Sequence, residues 1–98
     1  MIRMSINTEV RPADAEGIAR AAELLRQGEL VALPTETVYG LAANAYDEAA
    51  VRAVYAAKGR PSDNPMIVHI AELSALPELV TAIPENAKIL AEAFWPGP

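Results

Sequence analysis

The sequence predicts an α/β fold. Two amphipathic stretches each begin at an aspartate and end at a glycine, the residues that open and close helices. Short apolar runs at residues 30–33 and 66–70, bounded by Gly and Pro, have the length and composition of buried strands. Helical periodicity alternating with such runs is the pattern of an α/β layer structure.

Taken in order, residues 5–10 suit a short strand. Asp14 is placed to cap a helix running to about Gln27, with Ile18, Ala21, Ala22 and Leu25 on one face. Gly28 stands where a glycine commonly follows a helix. The apolar run at 30–33 reads as a strand, and Pro34 stops it. A short helical turn is expected near residues 38–41, followed by an extended segment. Asp47 is placed to cap a second helix carrying Val51, Val54, Tyr55 and Lys58 on one face, with Gly59 and Pro61 ending it. Residues 62–65 are turn chemistry, and 66–70 read as a second buried strand. A helical segment interrupted by proline is expected at 74–80. Pro84 suits the first position of a last helix with Ile89, Leu90, Ala93 and Phe94 on its apolar side. Tyr39 and Tyr55 read as packing aromatics and Trp95 as packing against further protein.

Composition narrows the function. The chain has 98 residues, room for one domain or part of one, and 52% are apolar. There is no cysteine, which removes thiolate metal sites, and a single histidine makes a His-based zinc site unpromising. No apolar run reaches the roughly 18 residues that span a bilayer, so a cytoplasmic protein is expected. The net charge of −5 argues against a general affinity for nucleic acid. Between residues 52 and 69, however, Arg52, Lys58 and Arg60 stand against Asp63 alone. Any anion site is therefore expected to be a local pocket.

The chemistry concentrates in residues 33–70. Lys58 and Arg60, separated by a glycine, read two ways: compensation of a helix dipole at its C-terminal end, or a clamp for a polyphosphate. Neither a Walker A loop nor a G-x-G-x-x-G fingerprint is present. His69 reads as a backbone-satisfied histidine on a strand or as a hydrogen-bonding ligand contact at a strand end. Thr35 and Thr37 follow a strand at once, either capping the next turn or holding a small polar ligand. Asn64 belongs to an ordinary turn or reads a base or sugar edge with its amide.

The runs P-T-E-T-V-Y-G-L, K-x-R-P and D-N-P-M-I-V-H-I, in this order and spacing, strongly resemble the YrdC-like family, in particular its threonylcarbamoyl-adenylate-forming members. The opening R-P-A-D and the closing F-W-P-G-P are similar to the same family, so the resemblance covers essentially the whole chain. It implies a twisted mixed sheet with a positively charged concave face. It implies condensation of L-threonine, bicarbonate and ATP to threonylcarbamoyl-adenylate and pyrophosphate, with Mg²⁺ accompanying ATP. A partner transferase complex then modifies tRNA. Carried over by motif, Thr37 and His69 would contact threonine with Thr35 nearby. Lys58 and Arg60 would hold ATP phosphates, and Asn64 would contact the nucleotide. The resemblance assigns no covalent nucleophile and no metal-ligating side chain.

Two departures stand out. G-L-A-A-N replaces the commoner G-L-G, which is conservative if that backbone keeps a negative φ. The family domain is also longer, and its later motif with serine and asparagine is absent. Residues 1–98 are accordingly expected to form the N-terminal part of a single YrdC-like domain, inactive alone. The other readings are a related YrdC-like carbamoyl-adenylate-forming domain and an RNA-binding module with weak affinity.

Overall fold

A computed structural model describes residues 7–59 and 65–97. The chain separates into two compact units, Met1–Asn64 and Pro65–Pro98.

In the first unit, α1 spans Ala15–Arg26. Asp14 caps it in an extended conformation, its Oδ1 accepting from the Gly17 N–H at 2.9 Å. Glu16 in the first turn and Arg26 in the last complement the helix dipole. Gly28 follows at φ +85°, and the Glu29 and Gly28 N–H groups reach back to the Leu24 and Leu25 carbonyls at 2.9 and 3.1 Å. This doubly bonded left-handed close satisfies the last carbonyls of the helix. Gly17 is required for a different reason: a Cβ there would lie 1.9 Å from the Pro12 carbonyl oxygen, which folds over the first turn.

The expected strand at 5–10 is not observed in its described part. Residues 7–10 are irregular, and Val10 is 92% exposed. Side-chain charge ties this segment down in place of a ladder. The Glu9 carboxylate accepts from Arg20 Nη2 and from Arg11 Nε, both at 2.9 Å. The hydrogen bonds from Arg20 and then Arg11 pull the Glu9 pKa down to about 2.

Strand β1, Val31–Leu33, pairs antiparallel with β2, Gly40–Ala42, in the register Val31–Ala42, Ala32–Leu41, Leu33–Gly40. The α/β class holds, and the sheet among the described residues is this antiparallel pair. The helical turn expected at 38–41 is replaced by loop and strand. The Thr35 hydroxyl donates to the Val38 carbonyl, the group a helical turn would have engaged, and residues 40–42 bond instead to β1. Ala42, at the G-L-A departure, lies within β2. No described residue other than glycine has positive φ, so the substitution is conformationally free.

Helix α2 spans Glu48–Lys58. Asn44 shapes its approach, its side chain accepting from the Tyr46 N–H and its carbonyl from the Asp47 N–H, both at 3.0 Å. Asp47 then caps, accepting from the Ala50 N–H at 3.2 Å. Gly59 closes the helix at φ +64°. Ala50 and Val54 are the described hydrophobic residues that are fully buried, at 2% and 3% exposure. One turn apart on the same helix face, they anchor α2 in the unit's small core.

In the second unit, residues 65–72 are irregular up to the helical turn. The strand expected at 66–70 is therefore corrected. Ile67 is 85% exposed and Val68 49%, and no described strand offers the run a ladder partner. A 3-10 turn at Leu73–Ala75 leads into α3, Leu76–Leu79, as the proline-interrupted helical pattern predicts. Helix α4 spans Glu85–Phe94. Pro84 sits one position earlier than expected, as its N-cap at φ −62° and ψ 155°, its carbonyl accepting from the Ala87 and Lys88 N–H groups. The apolar side of α4 is open: Leu90 is 57% exposed, Phe94 73% and Trp95 45%.

Candidate functional site

The hairpin loop at 34–39 holds the two threonines. Because β1 and β2 pair antiparallel through Leu33 and Gly40, this loop emerges from the end of the sheet. Thr35 organises it. Its Oγ1 donates to the Val38 carbonyl and accepts from the Thr37 N–H at 3.2 Å, a turn built by a hydroxyl. The Thr37 Oγ1 lies 3.4 Å from the Thr35 Oγ1, and both residues are exposed. The two hydroxyls are thus unequal, one consumed largely by the loop and the other presented by it. The T-x-T spacing carried that signal, since a threonine two residues before an N–H is the spacing of such turns.

Tyr39 continues the loop and is 76% exposed, so the expectation of a packing aromatic fails there. Tyr55, inside α2, is half-buried.

Lys58 ends α2 and is exposed, just before the left-handed Gly59. It complements the carbonyl end of the helix and, among the described residues, forms no ion pair. Arg52, one of the three cations in this region, is instead joined to Glu48 one turn earlier on α2. Lys58 is therefore the described cation of the stretch that is available to an anion. Arg60 and Asn64 lie outside the described residues.

His69 belongs to the second unit, in the irregular segment, and is exposed. The expectation of a strand histidine is corrected with that of the strand itself. The structure thus brings Thr35 and Thr37 together in one loop and puts Lys58 at a helix end of the same unit.

Among the described residues, no three carboxylate, imidazole or thiol groups gather in a way that could hold a metal ion. No described helix is long and apolar enough to cross a membrane.

Comparison with known proteins gives this arrangement a context. The profile of the Sua5/YciO/YrdC family, described as telomere recombination, matches residues 23–98. A threonylcarbamoyl-AMP synthase of Bacillus subtilis is 62% identical over 80 residues, which is 82% of this chain and 23% of that protein. A threonylcarbamoyl-AMP synthase of Pyrococcus abyssi is 55% identical over 96 residues, 97% of this chain and 28% of that protein. The crystal structure of P. abyssi Sua5 complexed with L-threonine superimposes with a TM-score of 0.81 at 54% identity, covering 89% of this chain and 26% of that one. The chain spans about a quarter of the length of these relatives. With the profile match extending over most of its length, the chain belongs to the Sua5/YciO/YrdC family.

Proposed function

We propose that this chain contributes the threonine-binding loop and part of the phosphate-binding surface of a threonylcarbamoyl-AMP synthase, a nucleotidyltransferase acting ahead of tRNA modification in the cytoplasm. The relatives that carry this name at 62% and 55% identity support the reading, as does the P. abyssi structure complexed with L-threonine. The observation that carries it is the division of labour in the 34–39 loop, where Thr35 holds the turn and Thr37 is left to meet a ligand.

In the proposed reaction the threonine amine takes up bicarbonate as a carbamate, releasing water. A carbamate oxygen then attacks the α-phosphorus of ATP, and the bond to the β-phosphate bridge breaks to release pyrophosphate. No side chain forms a covalent intermediate. The protein's work is positioning and charge neutralisation. Thr37 and His69 would orient threonine, with Thr35 supporting the loop. Lys58 and Arg60 would neutralise phosphate oxygens, and Asn64 would contact the nucleotide. Mg²⁺ would enter on the phosphates of ATP as part of the substrate.

The test is titration of L-threonine into the chain with the Thr37 amide and methyl followed by NMR. Saturable shifts in the 34–39 loop that D-threonine does not reproduce are expected. Identical responses to the two enantiomers, or shifts spread without regard to the loop, would overturn the reading.

A further inference from the structure

Gly40 opens β2 directly after the 34–39 loop, and nothing in the strand itself requires a glycine there. Its φ is not positive, since the described glycines with positive φ are Gly28 and Gly59. The register passes through it one residue for one, Leu33 to Gly40, so it forms no bulge. The strand accepts a methyl on the same face two residues on, at Ala42, which is half-buried like Gly40. A glycine inside a strand costs stability relative to alanine. One that serves neither a turn nor a bulge marks a close approach by another group.

Among the described residues, protein does not supply that group. A Cβ on Gly40 would meet one atom within 4 Å, the Thr35 Cγ2 at 3.5 Å, which is ordinary contact. The missing side chain therefore leaves a methyl-sized recess at the end of the hairpin, floored by the Gly40 backbone and walled by the Thr35 methyl. Leu33, the partner across the ladder, projects from the same face of the sheet. Thr35 links this recess to the hydroxyl that the loop presents: its Cγ2 faces Gly40, while its Oγ1 lies 3.4 Å from Thr37 Oγ1. A polar group and an apolar recess thus stand on either side of one side chain, within reach of a single small amino acid.

We infer, on the reading that the 34–39 loop binds threonine, that Gly40 is a specificity-determining residue. Its bare Cα leaves the recess that takes up the β-methyl of L-threonine, while Thr37 Oγ1 meets a polar group of the same molecule. A recess of this size separates threonine from serine, which lacks the methyl.

The test titrates L-threonine, L-serine and L-allo-threonine into the 98-residue chain, with the loop amides followed by NMR and stability by urea unfolding. The unaltered chain should bind L-threonine about tenfold more tightly than L-serine. L-allo-Threonine, with methyl and hydroxyl exchanged, should gain nothing over L-serine. In Gly40→Ala the new methyl occupies the recess, so threonine should weaken about tenfold while serine is nearly unchanged. Stability should hold or rise slightly, because the backbone there suits alanine. Gly40→Val reaches further and should displace Thr35, raising amide exchange at Thr37 and weakening both amino acids alike. An alanine variant that keeps the threonine preference, loses both amino acids equally or is destabilised would overturn the inference and leave the threonine reading standing. So would an unaltered chain that binds threonine and serine equally well. No response of the unaltered chain to L-threonine would overturn both.

Discussion

Gly28, which closes α1, faces the Asp47 carboxylate that opens α2: a Cβ on Gly28 would lie 2.7 Å from Asp47 Oδ2. The end of one helix and the start of the next are thus fitted to each other through a missing side chain. Asp47 has little freedom to withdraw, because its Oδ1 holds the Ala50 N–H.

Gly28→Ala is therefore expected to be destabilising on two counts, the positive φ and the displacement of the cap. Together they should cost about 2 kcal/mol. Asp47→Ala alone should cost about 1 kcal/mol as the loss of an N-cap. The double variant should cost less than the sum, since removing the carboxylate removes the clash. Urea unfolding of the four proteins measures this coupling, and strict additivity would refute it.

The threonines of the 34–39 loop should separate by phenotype. Thr35→Val removes both hydrogen bonds of the turn. It should raise amide exchange at Thr37 and lower stability by about 1 kcal/mol. Thr35→Ser keeps the hydroxyl and should restore both. Thr37→Val should leave exchange and stability nearly unchanged while abolishing the response to L-threonine. Equal effects of the two valine variants on threonine binding and on exchange would show that the loop does not divide the roles.

Glu9 makes a pH prediction with a definite sign. Its pKa is lowered from 4.5 to about 2 by the Arg20 and Arg11 guanidinium groups. Its contribution to stability should be fully present above about pH 4.5 and lost progressively as pH falls towards 2. The contribution is modest, because the pairs lie at the surface and are screened. The Glu9 carboxyl carbon followed by NMR should titrate well below the ordinary glutamate range. High salt should move it back up, and Arg20→Gln should raise it more than Arg11→Gln.

Lys58 should act through ATP and leave threonine binding alone. Lys58→Ala is expected to weaken ATP binding roughly tenfold, with the loss shrinking at high salt, and to leave the threonine response intact. Pyrophosphate release from ATP, threonine and bicarbonate should be absent from the 98-residue chain, which spans about a quarter of its relatives. Robust turnover by the chain alone would show that these residues form a complete site.

Much of the local structure was legible because its causes are local. Asp14 and Asp47 cap helices, and Gly28 and Gly59 end them, through contacts spanning only a few residues. The same is true of Pro84 at the start of α4, misplaced by one position because a φ near −62° suits both the cap and the first turn. The motifs nominated Thr35, Thr37 and His69 for threonine and Lys58, Arg60 and Asn64 for ATP before any geometry. The inequality of the two threonines was not named, because it depends on which hydroxyl reaches the Val38 carbonyl.

What the sequence by itself determined, then, is the family and, to within a residue, where the main helices open and close. Tertiary structure alone decided which apolar segments became strands and which faces were covered. Residues 31–33 found a partner in 40–42 and formed a ladder, whereas the run at 66–70 has none among the described residues and is exposed at 66–69. A helix satisfies its backbone from within, so its signals lie along the chain. A strand is satisfied only by another strand, and an apolar helix face is buried only by what packs on it.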